Sequence, residues 1–213
     1  MSKVDMNKCI DDIFEIAEIY NKYLLGNTFL LINESGDITE LFFGKKDFLH
    51  LTGVATKLYA DDFHKYVKNK KLKSTQIFFN SRYPYALHKK KILCMKKLHH
   101  LFDGSHNNLR GLYQVHREKI SFPFAVANSE MSLCFRKVEN KTYYQPQSIR
   151  KEKINRYNAN KRIIFIAQKD ITYKHYKNVM FGKIEVISQM ITKENLLLLF
   201  NIKEETSKSS STL

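Results

Sequence analysis

Hydrophobic spacing changes near Gly111 and divides the chain into two unlike parts. Before this position, apart from two short β-type runs between residues 28 and 43, apolar residues recur every three or four residues, which is the period of an amphipathic helix. After it, short apolar runs alternate with turn residues, as is typical of β-strands. Helices followed by a mostly antiparallel sheet predict the α+β class. Because 43% of the 213 residues are hydrophobic, the chain can bury a packed core.

The N-terminal helix is predicted over residues 1–26. Ser2 and Asp5 can cap its start, and Gly26 is a natural end. One face of this helix collects the apolar residues Ile10, Ile13, Phe14, Ala17, Tyr20 and Leu24. Further helices are predicted over Ala60–Lys70, Ser74–Phe79, Tyr85–Phe102, Tyr173–Val179 and Lys193–Phe200.

Two short β-type runs, Thr28–Asn33 and Ile38–Phe43, flank the turn residues Glu34–Asp37 and predict a hairpin. The segment Asp47–Val54 is predicted to be a strand end or turn that leads into the next helix. Later strands are predicted over Leu112–His116, Phe122–Ala127, Met131–Val138, Thr142–Gln145 and Arg162–Gln168.

The domain organisation predicted from these elements is simple. With three Pro and seven Gly in the whole chain, no linker stands out, so residues 27–203 are predicted to form a single α+β domain after the N-terminal helix. Residues 204–213 are polar and Ser-rich, and they are predicted to be a flexible tail.

The chain carries a large positive charge. It has 36 Lys+Arg against 21 Asp+Glu, a formal net charge of +15, which favours polyanionic partners such as RNA. A lysine-rich composition without functional meaning is the alternative. Acidic residues concentrate in the first forty positions, however, so the basic surplus lies in the remainder of the chain.

The cysteines and the apolar runs bear on the compartment. Cys9, Cys94 and Cys134 are isolated from one another, which suits a reducing compartment better than a disulfide framework. The first residues do not resemble a signal peptide, and no apolar run has the length of a membrane span. We expect a cytoplasmic protein without a membrane partner.

Several site types are disfavoured by the sequence. It contains neither GxxxxGK[ST] nor GxGxxG for a nucleotide, nor a hydrolase nucleophile elbow. His99 and His100 are adjacent and would point to different sides of a helix, whereas helical metal ligands prefer i, i+4 spacing. With His88, they are predicted to lie on a basic, solvated helix face. No metal and no cofactor are expected.

His50 lies between two leucines and is followed by Thr52 and Gly53, where the chain must turn. The ordinary pKa of an imidazole suits proton transfer near neutral pH. The alternative is a core histidine whose ring is satisfied by a backbone carbonyl. For a lone histidine the core state is the more common one, and the resemblance described below brings the two interpretations to similar weight.

A second candidate combines cations with tyrosines. Strand alternation should send Arg136 to the face opposite Phe135, and Tyr143–Lys153 follows with two tyrosines, a serine and several cations. Cations can clamp phosphate oxygens, and tyrosine rings can stack on unpaired bases. An ordinary solvated basic loop is the alternative. A third basic group is predicted to lie on a solvated helix face. Its members are Lys89, Lys90, Lys91, Lys96 and Lys97.

These segments resemble a known family. Asp47–Gly53, DFLHLTG, looks like the NFLHLTG element of phage-associated nucleases in the barnase–EndoU–colicin–RelE (BECR) group. Further elements follow in the family's order over about residues 27–182: Cys134–Arg136, Thr142–Pro146, Lys161–Ile166 with Lys169 and Asp170, and Tyr176–Val179. Gln145 departs from the pattern, because an apolar residue is expected before Pro146.

The resemblance implies a metal-independent RNase of a phage or mobile element, acting in the cytoplasm of a bacterial host cell, with a BECR-like sheet packed on helices. On this interpretation His50 transfers a proton, Thr52 positions the imidazole or a phosphate oxygen, and Arg136 and Lys153 stabilise the transition state. Tyr144 and Ser148 would orient the substrate. The residues expected to bind substrate are Lys45, Lys46, Tyr143, Arg150, Lys151 and Tyr157.

Two other functions stay open. One is a non-catalytic basic protein that blocks a host nucleic-acid or defence machine, so that its partner would be a host protein or RNA. The other is a toxin directed at one RNA, such as a tRNA, with a protein inhibitor as a further partner. Salt-dependent binding without a cleavage product would favour the non-catalytic protein.

Overall fold

The computed structural model of the chain describes residues 5–105, 108–117, 120–152 and 160–201. The predicted tail at 204–213 lies outside this part of the chain. The helices of the described residues are α1 (Met6–Tyr23), α2 (Asp47–Thr52), α3 (Ala60–Lys68), α4 (Tyr85–Met95), α5 (Ile184–Ile187) and α6 (Lys193–Phe200), with 3₁₀ turns at Ser74–Gln76 and Leu98–Leu101. None of these helices combines the length and the apolar character that crossing a membrane requires.

Of the two residues expected to cap the first helix, Asp5 is the N-cap residue, and Ser2 lies outside the described residues. Asp5 has extended backbone, and its carboxylate accepts hydrogen bonds from the backbone N–H groups of Asn7 and Lys8 at 3.1 and 3.0 Å. A carboxylate at this position satisfies amides that the first turn of a helix leaves without partners. The helices predicted near Ala60 and at Lys193–Phe200 are present as well.

The strands of the described chain are β1 (Asn27–Asn33), β2 (Ile38–Phe42), β3 (Ala55–Thr56), β4 (Ile77–Phe78), β5 (Arg110–Arg117), β6 (Ile120–Ala127), β7 (Ser132–Lys137), β8 (Tyr144–Arg150), β9 (Asn160–Asp170) and β10 (Asn178–Phe181). Eight of them form one sheet in the order β1-β2-β8-β7-β6-β5-β9-β10, and β3 pairs with β4 separately.

The large sheet closes on itself. Because β9 pairs with β1 as well as with β5, seven strands form a barrel-like ring, and β10 adds to β9. Leu41 of β2 pairs with Tyr144 of β8 in parallel, whereas the other described pairings of this sheet are antiparallel. The predicted α+β class is confirmed. The sheet is mixed, and the predicted N-terminal hairpin is part of it.

Four predicted segments differ from the structure. Asp47–Val54 was expected as a strand end or turn, but it contains helix α2, which Gly53 ends in the left-handed conformation. The helix predicted at Tyr85–Phe102 ends at Met95 and is followed by a 3₁₀ turn. The segment Ser74–Phe79, predicted to be a helix, forms a 3₁₀ turn followed by strand β4. The helix predicted at Tyr173–Val179 is wrong, because pairing with β9 turns its end into β10.

Two core clusters lie on opposite faces of β1. Phe29 and Leu31 contribute to the larger one, under α1 to α4. Leu30 and Ile32 contribute to a second one that α5 and α6 cover with apolar residues. Both faces of β1 are therefore buried, which explains why its sequence is a continuous apolar run.

The ring of Phe48 fixes helix α2 on the larger core. Phe48 is fully buried, with its centroid 5.2 Å from Tyr20 and 6.2 Å from Phe63. These rings come from α1 and α3, so three helices meet at one aromatic contact. Since α2 has six residues, packing of this kind must supply most of its stability.

Replacing Phe48 with Ala should lower the free energy of unfolding by about 3–5 kcal/mol, because it leaves a cavity between α1, α2 and α3. Denaturant unfolding followed by circular dichroism measures the change. Leu93→Ala on α4 is the matched control, since Leu93 is 56% exposed and should change stability by less than about 0.5 kcal/mol. Similar destabilisation of the two variants would contradict the packing described.

Candidate active site

Helix α2 is held at its C-terminal end by side chains of α4. The Nδ1–H of His88 donates to the carbonyl oxygen of Thr52 at 2.9 Å, and the Nζ of Lys91 donates to that of His50 at 2.6 Å. The last carbonyls of a helix have no partner within the helix. Two α4 side chains therefore satisfy the end of α2 and fix its position.

Gly53 is required at this junction for two reasons. Its φ is 72°, a conformation that side chains disfavour. A Cβ atom at this position would also lie 2.8 Å from the Cδ of Lys91, which is closer than two non-bonded carbon atoms can approach. The HLTG sequence thus ends α2 at a point where the Lys91 stem passes directly over the backbone.

A cavity of about 610 Å³ opens where α2 and α4 pack on β8. Six of the fourteen residues that line it are Lys or Arg, and one is acidic. A wall of this composition attracts anions, and its arginines can hold phosphate oxygens. The lining consists of His50, Arg82, Tyr83, Leu87, Lys90, Lys91, Phe122, Arg136, Gln147, Ser148, Ile149, Arg150, Lys151 and Glu152.

His50 brings an imidazole to this wall. Its pKa is lowered, first by partial desolvation and then by the positive charges of Arg136, Lys91 and Arg82. At neutral pH the ring is therefore mostly uncharged and able to accept a proton. The alternative of a core histidine does not hold, since the His50 side chain is exposed to the cavity.

Lys91 is the buried cation of the site. It is 6% exposed, and burial, followed by the charge of Arg150, lowers the pKa of its ammonium to about 8. An ammonium carries three donors, one of which is given to the carbonyl of His50. Lys91 therefore combines a fixed position with a proton that it releases more readily than an ordinary lysine.

Arg136 lies on β7 opposite Gln145 of β8. Its Nη2 donates to the Oε1 of Gln145 at 2.8 Å and lies 3.5 Å from the Oδ1 of Asp47. The glutamine that departs from the family pattern thus holds the guanidinium, which an apolar residue could not do. The contact with Asp47 connects Arg136 to the first residue of α2.

Asp47 is an almost fully buried carboxyl. Burial raises its pKa to about 6, against the opposing effects of the Gly44 N–H, which donates to Oδ2 at 2.8 Å, and of Arg136. Gly44 is fixed on its other side as well, because its carbonyl oxygen accepts the hydroxyl of Tyr20 at 2.7 Å. The loop before α2 is therefore held by both Asp47 and Tyr20.

A second cavity of about 410 Å³ adjoins the first and shares Arg136 with it. The residues that line it are Leu25, Gly26, Phe42, Phe43, Gly44, Lys45, Lys46, Asp47, Asp61, Arg136 and Gln145. Tyr143 lies beside it, with its ring centroid 5.2 Å from that of Phe42.

The structure brings together many of the residues predicted for the site. The larger cavity is lined by five of them, namely His50, Arg136, Ser148, Arg150 and Lys151. The smaller cavity contains Lys45 and Lys46, and Tyr143 borders it. Lys153 and Tyr157 lie outside the described residues. These positions come from three separate chain segments, so their convergence results from the fold.

Like Tyr143, the predicted residues Thr52 and Tyr144 are not among those that line the two described cavities. Thr52 is fully buried, and its hydroxyl donates to the carbonyl oxygen of Leu49 at 2.8 Å. This hydroxyl is therefore engaged within α2 and does not face the cavity. The ring of Tyr144 packs on Phe124, with the two centroids 5.7 Å apart, and it is likewise directed at the sheet.

The segment from Arg82 to Lys91 was missed as part of the site. Arg82, Tyr83 and Lys90 line the cavity, and the expectation of a solvated face is wrong for both His88 and Lys91, which are buried. The spacing of His88, Lys91, Ile92 and Met95 is that of one helical face. That periodicity was the available indication that two polar residues lie on the buried side of α4.

One group of described residues has a geometry that could hold a metal ion. Ligand atoms of His99, His100 and Asp103 lie within 4.8 Å of one another. The two imidazoles do not point to different sides as expected, because a 3₁₀ turn brings their centroids to 3.9 Å. Asp103 already accepts a hydrogen bond from His100 at 2.7 Å. None of the three lines the larger cavity.

A cation-rich cavity with an imidazole and a buried ammonium has the composition of a site for phosphate groups. The chain belongs to the family described as phage-Barnase-EndoU-ColicinE5/D-RelE like nuclease4, whose model matches residues 12–185. The resemblance seen in the sequence is confirmed, and the match extends beyond residues 27–182 at both ends. Comparison with curated proteins and with solved structures gave no match.

The buried carboxyl of Asp47 should make a pH-dependent contribution to stability. Its pKa is about 3.9 in an unfolded chain and about 6 in the fold, so the folded state binds more protons between these values. The contribution of Asp47 to the free energy of unfolding therefore falls as the pH rises from about 4 to about 6. Asp47→Asn removes this pH-dependent decrease, and its stability relative to wild type should rise across that window.

Denaturant titrations between about pH 4 and about pH 7 measure this difference. Asp170→Asn is the control, because the Thr172 hydroxyl lowers the pKa of Asp170 below its ordinary value. A lowered pKa gives stability that is fully present above about pH 4 and disappears only on further acidification. The stability of this control relative to wild type should therefore stay nearly constant across the measured range. Parallel curves for the two variants would contradict the buried state of Asp47.

Proposed function

We propose that this chain is a metal-independent endoribonuclease whose reaction takes place in the larger cavity. The supporting observation is the position of His50 and Lys91 in one cavity with six cations among its lining residues. Attack of an RNA 2′-hydroxyl on the adjacent phosphate needs a base, an acid and positive charge for the developing phosphorane. The cavity contains side chains suited to each of these tasks.

The uncharged imidazole of His50 accepts the proton of the 2′-hydroxyl. Partial desolvation and the neighbouring cations lower its pKa, so the basic form predominates at neutral pH. The same cations would lower the pKa of a bound hydroxyl and favour its deprotonation. Because the nucleophile belongs to the RNA itself, the reaction needs no metal-bound water.

Arg136 and Arg82 bind the scissile phosphate, and Lys91 protonates the departing 5′-oxygen. Arg136 is oriented for this by Gln145, which holds its Nη2 at 2.8 Å. Lys91 has a pKa of about 8, so at pH 7 it is mostly protonated and is a stronger acid than an exposed lysine. Ser148 and Lys151, which also line the cavity, contact the neighbouring phosphate.

Purified protein incubated with single-stranded RNA in EDTA should yield products with 2′,3′-cyclic phosphate ends. His50→Ala should lower kcat/KM by about 10² or more, which is the range for removal of a general base. His175→Ala is the matched control, because His175 binds the carbonyl oxygen of Leu198 and does not line the cavity. An RNA with 2′-O-methyl groups should remain intact.

Equal cleavage by wild type and His50→Ala would contradict the assignment. Binding of RNA without any product would favour the non-catalytic basic protein in place of the nuclease. A parallel digestion of total tRNA, with mapping of the cut ends, tests whether the activity is directed to tRNA as expected of a toxin.

The pH dependence of kcat/KM should be bell-shaped. The rate rises with pH as His50 loses its proton, and this limb should lie below about pH 6.5, the ordinary imidazole value, because the pKa is lowered. The rate then falls as the pH passes about 8, where Lys91 loses its proton. Lys91→Arg should remove the falling limb near pH 8, since a guanidinium stays protonated.

Lys90→Arg is the matched control for that profile, because Lys90 is the adjacent lysine and is exposed. The kcat/KM of the Lys90→Arg variant should still fall near pH 8. A wild-type profile that stays flat up to about pH 10 would contradict the role of Lys91, even if the Lys91→Arg protein does not fold.

A further inference from the structure

The smaller cavity lies directly next to the proposed phosphate site. Arg136 is the one residue common to the described linings of the two cavities. A phosphate held by Arg136 would therefore have its neighbouring nucleoside at the mouth of the smaller cavity. At about 410 Å³, this space falls within the usual range of small-ligand sites.

The floor of the smaller cavity is empty because residue 44 is a glycine. A Cβ atom there would lie 3.2 Å from the Oδ2 of Asp47, 3.4 Å from the Cε1 of Phe42 and 3.8 Å from the Nε2 of Gln145. One methyl group would thus fill the space between an aromatic ring, a carboxyl and an amide. Gly44 is also fixed on both sides by Tyr20 and Asp47.

The walls combine flat apolar surface with hydrogen-bond donors. Phe42 is half-buried, and its ring packs beside that of Tyr143, which gives an aromatic surface of the kind on which bases stack. The Oε1 of Gln145 is engaged by Arg136, so the NH₂ end of this amide is directed toward the space above Gly44. Lys45 and Lys46 add cationic donors at the same cavity.

We propose that the smaller cavity binds the nucleobase adjacent to the cleaved phosphate and prefers bases with an exocyclic carbonyl oxygen. This inference rests on the proposed function. Uracil (O2 and O4), cytosine (O2) and guanine (O6) each have such an oxygen for the Gln145 amide, whereas adenine has no exocyclic oxygen and carries an amino group instead. Adenine is therefore the base that this cavity accepts least well.

Binding of non-cleavable RNA tests the preference without requiring cleavage. Fluorescently labelled 2′-O-methyl hexamers of uridine, cytidine and adenosine are titrated with the full chain, and anisotropy gives Kd. Wild type should bind the uridine and cytidine hexamers about 3- to 10-fold more tightly than the adenosine hexamer, the size expected for one hydrogen bond to a base. Gly44→Ala should reduce this ratio to about 1, because its methyl group occupies the base site.

Gly111→Ala is the matched control. Its added methyl meets Ile163 and Phe124 at 3.2 to 3.6 Å, a similarly tight fit, but Gly111 lines neither cavity. This variant should keep the wild-type ratio, and thermal melting of both variants measures the cost of the methyl group for the fold. Phe42→Leu, which removes the stacking ring and keeps apolar volume, should weaken all three hexamers.

The two proposals fail in different ways. Cleavage of RNA by wild type, together with equal binding of the three hexamers, would overturn the base site and leave the nuclease standing. Absence of cleavage with a uridine preference that Gly44→Ala abolishes would support the base site and overturn the nuclease. An unchanged preference in Gly44→Ala would also overturn the base site.

Discussion

The hydrogen bond from the buried ammonium of Lys91 to the carbonyl oxygen of His50, at 2.6 Å, is the interaction on which the site depends. It joins α4 to the end of α2, places a cation beneath the cavity and fixes the backbone that carries the imidazole. Gly53 makes this hydrogen bond sterically feasible, because any side chain there would collide with the Lys91 stem. Burial of a charge in this way is costly unless it is hydrogen-bonded, and the lowered pKa of Lys91 reflects that cost.

A second set of interactions, around Arg136, separates the two cavities. Gln145 holds the guanidinium from the neighbouring strand, and Asp47 approaches it from the start of α2. Asp47 also fixes Gly44, so the floor of the smaller cavity and the cation of the larger one are positioned by the same carboxyl. The sheet brings β7 and β8 into register at this point, and α2 completes the arrangement. The proposed phosphate site and the proposed base site therefore lie on either side of one arginine.

Local sequence patterns predicted the elements that local interactions determine. The sequence predicted three such features, because capping and periodicity act over a few residues. They are the cap at Asp5, the apolar face of α1 and the hairpin whose first strand is continuously apolar. The helical state of Asp47–Thr52 was missed, since six residues have too little periodicity and the helix depends on Phe48 and Lys91 packing against distant parts of the chain. The motifs also singled out His50 and Arg136, which the fold brings to the same cavity. The burial of Lys91 was not predicted, because a run of three lysines is typical of a solvated face. The pairing of β9 with β1 that closes the ring was not predicted either, because it is a long-range pairing without a local sequence pattern.

The most direct test of the account is the salt dependence of RNA binding, measured with a non-cleavable single-stranded RNA. Removing one cation that neutralises a phosphate should reduce the slope of log K against log salt concentration by about 0.7. Replacing two exposed cavity lysines, Lys90 and Lys151, with alanine should therefore reduce the slope by about 1.4, twice that amount. Replacing Lys174 and Lys177, which are exposed and line neither described cavity, should leave the slope nearly unchanged. Equal reductions for the two double variants would show that RNA is attracted by charge spread over the whole surface, and would contradict a single basic cavity.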